Sequence, residues 1–219
     1  NKYKSKIVEL LDLYATSKEP IIRVGLAKDS FEDMYITDFK NRCRAFVKVQ
    51  DGCDNFCSYC IIPYVRGKCR SKDLDTVISE VTALVNKGFK EIVLTGIHTG
   101  NYGVDLDTNF ATLLKELVKI EGLKRLRISS VEVTELNSDV LDVIKNSNII
   151  VEHLHIPLQA GSDNVLKLMN RKYDLKYFEE KLKEIREIRP DISISTDIIV
   201  GFPRESEEDF NDTIENSFK

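Results

Sequence analysis

The sequence predicts an α/β fold built on a parallel sheet. Two observations carry this reading: from residue 45 onward short β-branched runs alternate with amphipathic helical stretches, and polar or glycine-rich loops fall just after each predicted strand. With 219 residues and 42% apolar content the chain has enough apolar material for a core of ordinary size.

At the start, Ile7, Val8, Leu11 and Tyr14 form a short helical stripe, followed by an irregular charged segment from Lys18 to Arg44 that contains Pro20 and Gly25. Residues 1–41 therefore read as the end of a preceding domain plus a linker, and residues 42–219 as the main domain. Five strands are predicted: Ala45–Gln50, Glu91–Thr95, Arg125–Ser129, Val151–Pro157 and Ile192–Val200. Between them, Val77, Ile78, Val81, Leu84 and Val85 repeat at helical spacing. So do Phe110, Leu113, Leu114, Leu117 and Val118, and then Leu175, Phe178, Leu182 and Ile185. Helices on these stripes are expected to cover the outside of the sheet. Glu205 to Lys219 reads as a last helix, and with Asn1 in place of an initiator Met the chain is expected to be part of a longer protein, truncated at its C-terminal end.

Gly52 with its neighbouring cysteines, Thr95 to Tyr102, Ser130 and Glu132, Gln159 to Asp163, and Gly201 with Pro203 all follow predicted strands. In a barrel or an open α/β sheet these carboxyl ends face one side, where ligand sites are built. One active face assembled from successive loops is the expectation.

The formal charge is −4 and the isoelectric point near 5.6, so affinity for nucleic acid has to come from a local basic face. Arg66, Lys68, Arg70 and Lys72 offer one, as a contact for RNA phosphates or for a cofactor carboxylate, or else as a solvated charged turn. Five cysteines, three of them bunched, argue against a secreted disulfide framework, and no long apolar span appears. A soluble protein of the reducing cytoplasm, without membrane contact, is expected.

The most informative stretch is Cys53-Asp54-Asn55-Phe56-Cys57-Ser58-Tyr59-Cys60. A buried inert cysteine needs no neighbours of its kind, whereas a metal centre needs several thiolates aimed at one point. C-x3-C-x2-C supplies three, leaving one corner of a four-iron cubane open to a substrate or cofactor. Structural zinc completed by Cys43 or Cys69 is the competing reading, although no second C-x-x-C exists.

Other candidates are weaker taken singly. Thr95 to Gly103 is glycine-rich after an apolar strand but does not match the dinucleotide fingerprint, which excludes a Rossmann reading. His153 and His155 alternate along a strand and point the same way. As isolated residues they read as satisfied core groups. Asp197 interrupts the apolar run Ile192 to Val200, which reads as a buried strand, so its carboxylate is expected to need a partner such as an arginine or a cofactor amine or hydroxyl.

Taken together, the segments resemble the radical S-adenosylmethionine (SAM) methylthiotransferases, most closely the branch acting on threonylcarbamoyladenosine in tRNA. The resemblance is carried by Val49 to Gly67, Leu94 to Gly103, His153 to Gln159, Leu168-Met169-Asn170-Arg171-Lys172-Tyr173, and Asp197 to Pro203, in order, over nearly everything from Cys43 onward. It implies a partial, incomplete TIM-like parallel β/α barrel. It also implies a 4Fe-4S cluster held by Cys53, Cys57 and Cys60, whose free iron binds SAM. Electron transfer from the cluster then releases a deoxyadenosyl radical that abstracts hydrogen from an adenine carbon. Tyr59 is implied beside the adenine of SAM, and Thr95, Gly96 and His98 at its amino end. Ser130, Glu132, Gln159 and Asp197 are implied at its other polar groups.

The resemblance further implies a tRNA anticodon stem-loop as substrate, an electron-donor protein as partner, and a second 4Fe-4S cluster in the full-length protein only. A monomer is expected. A ribosomal-protein aspartate methylthiotransferase on the same barrel and a zinc-stabilised RNA-binding module are the alternatives. Three positions depart from the family pattern: Val133 where proline is usual, Ala160 where serine is common, and Arg204 where glycine is expected. Arg204 matters most, because glycine there permits a positive-φ turn that arginine disfavours.

Overall fold

The structure, a computed structural model, describes residues 3–25, 31, 36, 39 and 42–218. Most of the predicted charged linker lies outside the described residues.

The strands, in chain order, are β1 (Arg44–Lys48), β2 (Gln50–Asp51), β3 (Arg70–Ser71), β4 (Glu91–Thr95), β5 (Arg125–Ile128), β6 (His153–His155) and β7 (Ser193–Ser195). β4 pairs in parallel with β1 and β5, and β6 with β7. A parallel bridge between Leu126 and Ile150, with Val131 N–H donating to His155 O at 3.1 Å, links the two groups. Among the described residues no pairing joins β7 back to β1, so the parallel layer is an open, partial barrel. The central strand β4 buries Glu91 to Leu94 without interruption, as a parallel strand covered on both faces must.

Around it run α1 (Ile7–Ser17), α2 (Ile62–Arg66), α3 (Leu74–Asn86), α4 (Phe110–Leu117), α5 (Ser138–Asn146), α6 (Asp163–Leu168), α7 (Leu175–Ile188) and α8 (Glu207–Ser217). Each of α3 to α8 starts at an Asp, Asn or Ser whose side chain accepts a backbone N–H of the first turn, from Asp73 through Ser206. The predicted stripes turn inward: Val77, Val81 and Leu84 of α3 and Phe110, Leu113, Leu114 and Leu117 of α4 are buried with Val47, Ile92, Leu94, Leu126 and Ile128 of the sheet in one core. By contrast α1 has no buried residue, and Ile7, Val8 and Leu11 are exposed.

Three sequence expectations change. The predicted first strand divides at Val49, whose N–H still donates to Thr95 O of β4 (2.9 Å) while its carbonyl accepts from Lys72 (2.8 Å). Beyond that pivot the chain pairs with β3 in an antiparallel ladder, Gln50 opposite Ser71 and Asp51 opposite Arg70, which forms the stem of the cysteine loop. The strands predicted over Val151–Pro157 and Ile192–Val200 contract to β6 and β7, extended only by a bridge between Gln159 and Ile198. Finally, Asp197 is not buried: β7 is paired on one side among the described residues, and the Asp197 side chain is 72% exposed, against His155.

Candidate functional site

Cys53, Cys57 and Cys60 stand half-buried on the loop that leaves the β2 end, at the carboxyl side of the parallel strands, and all are free thiols. The loop's base is closed by Cys53 N–H donating to Gly67 O (3.1 Å) and by Gly52, at φ +77°, where an added Cβ would lie 1.9 Å from Lys68 O. Only glycine fits that approach. Phe56, at φ +50°, turns the loop between the first two cysteines.

Under the loop lies a fully buried amide. Gln50 donates from Nε2 to Asp51 O, Gly52 O and the Cys69 sulfur (3.1, 2.8 and 3.0 Å), while its Oε1 accepts from Ile97 N–H and His98 N–H (3.0 and 2.8 Å). Gln50 thus staples the cysteine loop to the loop after β4, and two backbone amides of that glycine-containing loop are taken up internally. Thr95 Oγ1 reaches Val47 O at 3.3 Å, and Gly96 packs against Gln50, where a Cβ would stand 2.9 Å from Oε1.

His98, buried, reaches the Cys53 sulfur from Nδ1 at 3.7 Å and faces the Glu135 carboxylate through Nε2. Asn55 and Asn101 flank the ring at 3.4 and 2.9 Å. Burial lowers the ring's pKa, but the contacts with Cys53 and Glu135 outweigh it and push it up to about 10. Glu135 also accepts from Glu132 N–H (2.9 Å) in a capping box at the end of β5, where Ser130 is half-buried.

From the opposite side comes Arg171, whose side chain is 3% exposed. It pairs with Glu132 and donates from Nη1 to the Cys57 sulfur and to Tyr59 Oη, each at 3.3 Å. Its Nε donates to Tyr173 Oη (3.2 Å), which in turn bonds the carbonyl oxygens of Pro157 and Leu158. Tyr59 is partly exposed and meets Phe202 edge-on at 6.4 Å. Burial, beside Cys57 and Glu132, pushes its hydroxyl up to about 12 against the opposing pull of Arg171. Gln159, at φ +70°, binds the β7 side through Asp197 O and Ile199 N–H, while the exposed Asp197 carboxylate meets His155 Nε2 at 3.2 Å. His153 and His155 do point the same way, both to Ser195 Oγ (3.0 and 2.9 Å).

The basic flank resolves into ion pairs. Asp51 gathers Arg66 (2.8 Å), Lys48 (2.6 Å) and Arg70 (3.7 Å). Its burial is outweighed by the Arg66 and Lys48 hydrogen bonds, which hold the carboxyl down to about 2. Lys72 is buried against Glu80 at 2.6 Å. Only Lys68 of the four is exposed, so neither an RNA-facing cluster nor a solvated turn describes this stretch. Cys69 is buried and its thiol is raised by burial to about 11, against the Gln50 hydrogen bond; Cys43 is exposed. Among the described residues no three His, Cys, Asp or Glu side chains converge on a single ion. A zinc tetrahedron finds no support in that arrangement. A cubane is a larger body whose thiolates stand further apart. The donor set suits it: three uncrosslinked thiols on one short loop, two of them within reach of polar or cationic groups of the kind that tune cluster ligands.

Sequence reasoning missed Gln50, Glu135 and the part played by Arg171. A lone amide in an apolar strand, the Glu132-x-x-Glu135 spacing of a capping box, and an arginine three residues beyond the end of α6 were the available signals.

A parallel β/α layer carries three free thiols at its carboxyl edge, and the family model of the radical SAM superfamily matches residues 47–216; the chain belongs to that superfamily. Its members combine a 4Fe-4S cluster with SAM. Among curated relatives, the chain is 45% identical over 214 residues to the threonylcarbamoyladenosine tRNA methylthiotransferase MtaB of Bacillus subtilis, covering 96% of this chain and 48% of that protein. It is 42% identical over 212 residues to the tRNA-2-methylthio-N(6)-dimethylallyladenosine synthase of Acetivibrio thermocellus, covering 96% and 44%. The chain spans about half the length of these relatives. Among solved structures, the radical SAM methyltransferase TsrM of Kitasatospora setae, with cobalamin and a 4Fe-4S cluster bound, superposes with a TM-score of 0.66 at 16% identity, over 79% of this chain and 34% of that one; this likeness supports the fold. No helix among the described residues is long and apolar enough to cross a membrane.

Proposed function

We propose that this chain is the SAM-cleaving part of a tRNA methylthiotransferase that adds a methylthio group to the adenine of threonylcarbamoyladenosine, next to the anticodon. The observation that carries the reading is the set of three free thiols at the carboxyl edge of the sheet, approached by His98 and Arg171, in a chain so similar to named tRNA methylthiotransferases.

In this reading Cys53, Cys57 and Cys60 hold the 4Fe-4S cluster. Bound there, cluster and SAM supply a radical able to take hydrogen from a carbon that has no acid-base route to substitution. The chain's own residues hold and orient. Gln50 fixes the loop after β4 against the cysteine loop, and Glu135 fixes His98 beside Cys53. Tyr59, with Phe202 edge-on, provides an aromatic wall for the adenine of SAM. Thr95, Gly96 and His98 line its amino end, and Ser130, Glu132, Gln159 and Asp197 its remaining polar groups. The first 41 residues belong to the end of a preceding domain and its linker, and residues 42–219 to the barrel. The full-length protein adds a second 4Fe-4S cluster, works as a monomer in the cytoplasm, and takes electrons from a donor protein and substrate from the anticodon stem-loop.

Anaerobic reconstitution tests this: about four irons and four sulfides per chain are expected, with SAM cleaved to deoxyadenosine. Cys57→Ala should abolish cleavage; undiminished cleavage refutes the assignment. The 42% identity to a dimethylallyladenosine synthase favours a second substrate reading. Mass spectrometry of tRNA nucleosides from a strain lacking the gene separates the two by which methylthio-adenosine disappears.

A further inference from the structure

The end of α6 and the segment after it touch the cysteine loop at five points across more than a hundred residues of sequence. Ser58 N–H donates to Met169 O (3.0 Å), Ser58 Oγ to Leu168 O (2.8 Å), and Asn170 Nδ2 to Phe56 O (2.9 Å). Arg171 adds the contacts to Cys57 and Tyr59. Asn170 takes φ +59° to make this turn, a conformation asparagine tolerates better than most residues.

A buried arginine needs a counter-charge, and Glu132 provides it through Nη2. Fold stability would be served by that pair alone. The guanidinium nevertheless sends Nη1 to a cysteine sulfur and has its plane fixed by Tyr173 through Nε and by a cation–π contact 5.1 Å from the ring centroid. Its planar fork has a limited set of directions in which to donate, and here one of them is the thiol.

We propose that Arg171 is a positioning residue for the cysteine loop that sets the reduction potential of the centre the loop carries, by donating a charged hydrogen bond to the Cys57 sulfur. The inference rests on the reading of Cys57 as a cluster ligand. A donor and a positive charge at a ligand sulfur draw electron density from it and favour the reduced form of the cluster. Glu132 orients the guanidinium and moderates its charge.

The test is a mediated redox titration of the reconstituted protein, followed by electron paramagnetic resonance of the reduced cluster, in Arg171→Lys and in the double variant Arg171→Met with Glu132→Gln. The double variant avoids leaving a lone buried carboxylate, and the lysine variant keeps the charge. At a fixed applied potential the reduced-to-oxidised ratio should fall about tenfold in the double variant, which for a one-electron couple is about 59 mV. Arg171→Lys should fall between the double variant and the unmodified protein. A potential unchanged in both variants, at full iron content, overturns the proposal while leaving the ligand assignment intact. Failure of the unmodified protein to assemble a cluster overturns the ligand assignment, and this inference with it.

Discussion

Lys72→Met tests whether the stem of the cysteine loop is anchored from outside by a buried charge pair. Lys72 Nζ and Glu80 Oε2 lie 2.6 Å apart, with side chains 1% and 6% exposed. The attraction in such a site is largely cancelled by the desolvation of both ions, so the pair itself adds little net stability. Removing one partner is different, because Glu80 then stays buried without its cation, at a cost of about 3–5 kcal/mol. For a chain of this size, where 1 kcal/mol moves the midpoint by about 2–4 °C, the melting temperature should drop by roughly 6–20 °C. Methionine keeps the length of the stem and leaves the Lys72 N–H bond to Val49 O available. The double variant Lys72→Met with Glu80→Leu should recover the loss to within about 1 kcal/mol, since neither group is then stranded. Thermal melts followed by circular dichroism on the four members of the cycle measure this. A single variant that melts within about 2 °C of the unmodified protein, or a double no better than the single, would refute the reasoning.

Gly52→Ala should abolish cluster assembly without touching a cysteine, because its Cβ collides with Lys68 O and the residue is held at φ +77°; iron content after reconstitution measures it. Arg204→Gly should stabilise the protein by up to about 1 kcal/mol in denaturant titrations, because Arg204 sits at φ +72° and glycine adopts that conformation without strain. Asp209, whose carboxyl is held below the usual aspartate range by hydrogen bonds from Ser162 and then Ser206, ties the start of α8 to α6. Its contribution is complete above the unfolded aspartate value of about 4 and is lost as the pH falls from there through the lower folded value. Acid titration of α8 protection by hydrogen exchange should lose this limb in Asp209→Asn, and an unchanged acid limb would count against the assignment.

Much of the fold was legible in sequence because it rests on local periodicity. The stripes of α3, α4 and α7 and the strand β4 appear where the apolar spacing puts them. α5 escaped notice, although Val140, Leu141, Val143 and Ile144 bury its inner face and Asn137 caps it. Arg204 in a left-handed turn bears out the suspicion raised by its place in Gly-Phe-Pro-Arg, and Ala160 and Val133, the other two departures, are fully buried. The burial of Asp197 was misjudged for a definite reason. An apolar run predicts burial only if something covers both faces, and β7 has one neighbour among the described residues.

The spacing of Cys53, Cys57 and Cys60 by itself determined that three thiols share one loop, since a chain of eight residues cannot carry them far apart. Which groups meet those thiols was decided only by the tertiary structure. His98 lies 45 residues from Cys53 and Arg171 lies 114 from Cys57. Partners so distant are chosen by the curvature of the parallel layer, which brings the loops after β1, β4, β5 and β6 to a common edge. The antiparallel pairing of β2 with β3 likewise brings Arg66 and Arg70 to Asp51, and Lys72 just beyond it to Glu80 on α3, where the bare sequence showed only a run of positive charge.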